Sequence, residues 1–101
     1  MNWPTAFALT AAIELPLVAA VAPRALRGRA ALDSLAANLL THPLAWYLFA
    51  ADLLPWGAIE VGVTVLELAV YRFVTRMPWP RAAFAALLAN GVTAALSFVV
   101  A

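Results

Sequence analysis

The chain has 101 residues, of which 66% are hydrophobic and 11% charged, with no cysteine and a formal net charge of +1. Soluble domains sit near about 45–50% apolar and about 25% charged, and a chain this short has too little interior to hide the excess from water, so lipid is expected as the solvent for much of its surface. Disulfide frameworks and thiolate metal sites are excluded, and so small a net charge gives no reason to expect a nucleic-acid partner.

Four apolar stretches follow in order, at residues 5–22, 32–51, 53–74 and 82–101. At 1.5 Å per residue, about 20 residues cover a hydrocarbon core of roughly 30 Å, so the pattern predicts an all-α, integral membrane four-helix bundle forming one transmembrane domain. The first stretch is interrupted by Glu14 and Pro16. Its Ala20 and Ala22 give the A-x-A pattern of a cleaved signal peptide, but no basic residue precedes the run and Pro23 would follow the cut, so a retained helix is expected. The second stretch holds Asn38, His42 and Pro43, the third Glu60 and Glu67, and the fourth Asn90, Thr93 and Ser97 with no charged residue.

All six basic residues are arginines in two clusters: Arg24, Arg27 and Arg29 between the first two stretches, and Arg72, Arg76 and Arg81 between the last two. The positive-inside rule puts both links in the cytoplasm of a bacterium, with the protein in its inner membrane and both termini and the Asp52 turn on the far side. Trp3, Tyr47 and Trp56 at one level, with Tyr71 and Trp79 at the other, fit interfacial aromatic belts. Asp52, Pro55 and Gly57 mark the outer turn, and Pro23, Gly28, Pro78 and Pro80 the inner ones.

The chain also reads as a doubled hairpin. Ser34-Leu35-Ala36-Ala37-Asn38-Leu39-Leu40-Thr41 matches Ala86-Leu87-Leu88-Ala89-Asn90-Gly91-Val92-Thr93, and Glu14 precedes its Asn by 24 residues where Glu67 precedes its own by 23. Apolar identities are common in such a chain, so the weight falls on Glu, Asn and Thr recurring in order. A parallel repeat about an axis along the membrane normal would set Glu14 opposite Glu67 and Asn38 opposite Asn90.

Glu14, Asn38, His42, Glu67 and Asn90 all fall near the midpoints of their stretches, which predicts one polar layer. Asn38 and His42 share a face at i,i+4, and Glu60 lies on the face of Glu67 about 10 Å nearer the outer surface. Pro16 and Pro43 each take a backbone hydrogen bond from the helix beside this layer. A carboxyl group at a helix centre costs roughly 2.5–3.5 kcal/mol. No lysine or arginine accompanies the glutamates at that depth, and His42 can neutralise one of them at most, so the others must be protonated, hydrated or matched by a bound cation. Proton carriage fits such a layer. A divalent metal such as zinc, manganese or iron(II) on Glu14, His42 and Glu67 is a further expectation. The plainer alternative is interhelical hydrogen-bond glue, which suits Asn38, Asn90, Thr93 and Ser97 best, at about 0.6 kcal/mol each.

Glu14, the run Asn38-Leu39-Leu40-Thr41-His42-Pro43 with Trp46, Glu60 to Glu67 with Tyr71, and Ala89-Asn90 together resemble a group of small bacterial four-helix inner-membrane proteins across most of the chain. That resemblance implies the fold and brings no activity with it. Length, four stretches and Glu14 also resemble the small multidrug resistance transporters, whose first-helix glutamate exchanges protons for cationic drugs. Glu60, Glu67, His42, Pro16 and the absence of glycine-rich later helices depart from their pattern. No nucleophile sits beside a base and no H-E-x-x-H motif is present, so an enzyme is not expected. The expectation is a protein binding or translocating protons or cations through Glu14, Asn38, His42, Glu60, Glu67 and Asn90. The alternative is an accessory subunit of a larger membrane complex, or a homodimer, docking through Ala82, Ala85, Ala86 and Ala89.

Overall fold

The structure, a computed structural model, describes the backbone of residues 3–100 and the side chains of residues 4, 5 and 7–95. Trp3 and Ser97, assigned above to an interface and a polar stripe, lie outside the described side chains. Among the described residues the chain forms four helices and no strand. These are α1 (Trp3–Val21), α2 (Arg27–Ala50), α3 (Trp56–Ala69) and α4 (Trp79–Val100). A 3-10 turn, Arg24–Leu26, leads into α2, and a π-turn, Val70–Val74, prolongs α3. Short links make sequential helices antiparallel neighbours. Each helix packs on the next, and α4 closes the ring on α1, in a bundle of 39 × 21 × 19 Å. Helices α1 and α3 therefore stand diagonally across the core.

The ends of the helices depart from the sequence-based bounds. Helix α2 starts five residues earlier than expected, because Gly28 lies inside its first turn and does not mark the link. Helix α4 starts three residues earlier, because Pro80 fits a first helical turn, where its missing N–H has no partner to lose. Pro16 and Pro43 lie inside continuous helices.

The two tightest reversals use left-handed residues that are not glycine. At the end of α2, Asp52 has φ 57°; its N–H reaches Phe49 O at 3.1 Å and the Leu53 N–H reaches Leu48 O at 2.9 Å, the paired bonds of a Schellman cap. Aspartate is among the few residues that visit this region readily. After the π-turn, Thr75 N–H bonds Val70 O at 3.0 Å and Met77 N–H bonds Tyr71 O at 2.9 Å, across Arg76 at φ 68°.

Burial runs opposite to residue size. Leu32, Leu40, Tyr47, Val61, Phe73 and Leu87 are each 62–65% exposed, whereas Glu14 and Glu67 are 1% and 0% exposed. The apolar core consists largely of alanines, Ala22, Ala30, Ala82, Ala85, Ala86 and Ala89, around Val18, Tyr71 and Met77. Two expectations are corrected here. The alanine face of α4 is not a docking surface, since all four of its residues are inside the bundle at 0–1% exposure; small side chains there let α4 approach its neighbours closely. Tyr71 does not sit in an interfacial belt, because the room left by those alanines accommodates its ring in the core. Tyr47, Trp56 and Trp79 are exposed as expected.

Among the described residues no helix is long and apolar enough to cross a membrane. Helix α3 gives way to the π-turn after 14 residues, and α2 opens with Arg27, Arg29 and Asp33.

Candidate functional site

Glu14 and Glu67 turn inward from α1 and α3, and each is held by the asparagine of the helix that follows it. Asn38 Nδ2 donates to Glu14 Oε2 at 2.7 Å and to Ser34 O at 2.9 Å. Asn90 Nδ2 donates to Glu67 Oε2 at 2.9 Å and to Ala86 O at 3.0 Å. An amide nitrogen has two hydrogens, so each asparagine anchors one on the carbonyl a turn behind it and aims the other at a carboxyl oxygen. Both residues thereby use their donors completely. Glu14 and Glu60 are both within electrostatic reach of Glu67.

The doubled arrangement continues beyond these pairs. Arg29 Nη2 donates to Val74 O at 3.2 Å, and Arg81 Nη1 donates to Val21 O at 3.3 Å. The offset of 52 residues that relates Asn38 to Asn90 also relates Arg29 to Arg81, and the offset of 53 that relates Glu14 to Glu67 also relates Val21 to Val74. The one-residue difference follows the shorter Glu-to-Asn interval of the second hairpin. Each hairpin thus places an arginine from its second helix on the final carbonyls of the other hairpin's first helix, where the helix dipole favours a cation.

The equivalence breaks around the carboxyl groups. Thr93 Oγ1 of α4 lies 2.7 Å from Glu14 Oε1 and 2.5 Å from Ala89 O, so both oxygens of Glu14 are partnered. Its counterpart Thr41 is buried, but Glu67 Oε1 has no hydrogen-bond partner among the described residues; neither do Ser34 Oγ and Tyr71 OH. Tyr71 stands one turn from Glu67 on the same face, at the place that Val18 occupies relative to Glu14. Its hydroxyl comes near Ser34 without reaching hydrogen-bond geometry.

Of the other residues expected at the site, Glu60 is half-buried and borders a groove of about 380 Å³ between α3 and α4, which Asn90 also lines. The His42 ring lies among aromatic neighbours, with Phe7 edge-on at 5.6 Å and Trp46 at 6.5 Å between ring centres. Among the described residues no three His, Asp or Glu side chains gather as a metal ion would require.

One group escaped the sequence reading. Asp33 is buried on α2, where its Oδ2 accepts from Thr75 Oγ1 at 2.7 Å and from Arg29 Nε at 3.2 Å. The signal was present as an i,i+4 Arg-Asp pair at the start of a helix. Nearby, the Arg72 guanidinium lies over the rings of Phe73 and Trp79 at 5.7 and 5.1 Å, an arrangement that holds this arginine at the same end of the bundle.

No family model matches the chain, and neither a curated protein nor a solved structure matches it.

Proposed function

We propose that this chain is a small membrane-embedded protein that binds or translocates protons or cations through Glu14 and Glu67, in a bacterial inner membrane with the arginine end in the cytoplasm. The observation that carries the reading is the carboxyl pair itself: two fully buried acids, each given one amide N–H, with no basic partner among the described residues. The one ion pair formed there, Arg29 with Asp33, lies at the arginine end. An isolated buried carboxylate is too costly to keep, so each acid must hold a proton or a cation. Thr93 supports a proton at Glu14. Its hydroxyl has one hydrogen for two acceptors, and both contacts are satisfied together when Thr93 donates to Ala89 O while Glu14 donates to Thr93 Oγ1.

The lipid setting is supported by the inverted surface. Large apolar side chains face outward around an interior of small and polar ones, an arrangement that water disfavours and hydrocarbon favours. Asn38 and Asn90 position the acids, and Glu60 at the groove serves as the approach to them. His42, between its aromatic neighbours, has a lesser part than the glutamates.

The test is proton and cation uptake by the purified protein in detergent, titrated from acid to neutral pH, for wild type, Glu14→Gln and Glu67→Gln. Wild type should take up protons or a cation in a saturable step that either substitution reduces by about one equivalent. Three identical titrations from folded proteins would reduce the layer to interhelical glue.

A further inference from the structure

Three oxygens deep in the bundle, Ser34 Oγ, Glu67 Oε1 and Tyr71 OH, belong to residues that are each 0% exposed, and none has a hydrogen-bond partner among the described residues. A buried polar atom without a partner costs about 1–3 kcal/mol, so three in one place need a reason. Tyr71 is one helical turn from Glu67 on the same face, its hydroxyl comes near Ser34, and Glu67, Glu14 and Asp33 are the acids within electrostatic reach of it. Toward the outer end, Glu60 lies two turns from Glu67, about 10 Å away, and borders the largely apolar groove that Asn90 also lines. Toward the arginine end, Ser34 adjoins Asp33 in sequence, and Asp33 is tied to Thr75 and to the exposed Arg29. The corresponding positions beside Glu14 are Val18 and Ala86, which carry no proton-bearing group. Proton-bearing oxygens therefore recur along the Glu67 side of the bundle, with water needed between Glu60 and Glu67 and between Ser34 and Asp33, and they stop on the Glu14 side.

We propose that Tyr71, with Ser34, links the mid-bundle glutamates to the arginine end, so that a proton entering at the Glu60 groove crosses the bundle through Glu67, Tyr71 and Ser34 to Asp33. The inference rests on the proton branch of the reading above and names the route. At the central step the O–H bond of protonated Glu67 Oε1 breaks as a new one forms to the Tyr71 oxygen. The phenol's own hydrogen moves on to Ser34 Oγ, whose hydrogen passes through water to the Asp33 carboxylate. Glu67, left as a carboxylate, takes its next proton from Glu60 through water, and Asp33 gives the one it gained to water at the arginine end, so that one proton enters, one leaves, and phenol and alcohol are regenerated.

The experiment uses the full chain in liposomes with a trapped pH-sensitive dye and a potassium diffusion potential, beside an infrared titration of the carboxyl stretch on the same preparations. Wild type should conduct protons. Tyr71→Phe keeps the ring that fills the core and should lower the flux about tenfold or more, with carboxyl titration intact. Ser34→Ala should lower it by a smaller factor, because water can stand in for a hydroxyl of that size. Full flux through Tyr71→Phe overturns the route. So does a wild type that conducts nothing while its carboxyls still titrate, and in that case the buried acids remain a proton-binding pair. Absence of any titrating buried carboxyl would overturn both proposals together.

Discussion

The two glutamates share an architecture and differ in their completion. Glu14 has a donor or acceptor for each oxygen, Asn38 on one and Thr93 on the other. Glu67 has Asn90 on one oxygen and, beside the second, hydroxyls that it does not engage. The threonine is common to both halves, yet Thr93 reaches Glu14 while Glu67 Oε1 has no partner among the described residues, so helix packing accounts for the second bond. Substitution adds the hydroxyls: tyrosine stands for valine one turn after Glu67, and Ser34 on α2, the helix before it, stands where α4 has Ala86. One half of a doubled scaffold has been closed into a fully bonded unit, and the other has been left with chemistry to spare.

That contrast can be broken, and the largest effect should come at the asparagines. Asn90→Ala removes the one hydrogen bond Glu67 makes among the described residues and should cost about 2–3 kcal/mol. Asn38→Ala leaves Glu14 its Thr93 contact and should cost about 1–2 kcal/mol. Unfolding free energies of both variants in one detergent mixture check this, and equal costs would mean that the halves are energetically alike. The threonines sharpen the contrast at a smaller scale. Thr93→Val should destabilise by about 1 kcal/mol through loss of the Glu14 contact, whereas Thr41→Val should change stability by no more than a few tenths, since Glu67 Oε1 has no contact with it to lose. Small effects are also expected at the arginine clamps. Arg29 and Arg81 are exposed, so Arg81→Ala should cost about 0.2–1 kcal/mol, with Arg29→Ala toward the upper end because it also releases Asp33; added salt should narrow the gap between them.

Much of this organisation was legible in the sequence. Glu and Asn recurring at nearly the same interval pointed to two like hairpins and a central polar layer, and short proline-bearing links to antiparallel neighbours, whereas the bonding of each Glu to the Asn of its own hairpin emerged only in the structure. The alanine stripe of α4 was misleading because small residues permit close helix approach equally well inside a bundle and between bundles, and the pattern does not say which. Tyr71 was misread because an amphipathic ring beside arginines suits an interface. Its i,i+4 relation to Glu67, the same spacing that joined Asn38 to His42, was the better guide. The aromatic neighbours of His42, Phe7 and Trp46, were not legible, because ring contacts between helices leave no spacing signal along the chain. The left-handed Arg76 could not be read at all, because nothing in an arginine favours that conformation, and tertiary packing of the π-turn imposes it.

The reciprocal arginine contacts also fix how the hairpins can move. Arg29 reaches from the first hairpin to Val74 and Arg81 from the second to Val21, so sliding either hairpin along the other by one turn, about 5.4 Å, would detach both at once. Thr93 of α4 reaches Glu14 of α1 at mid-height, so tilting about the arginine end would stretch that bond as well. The two hairpins are thus tied to one another at two heights, the arginine end and the polar layer.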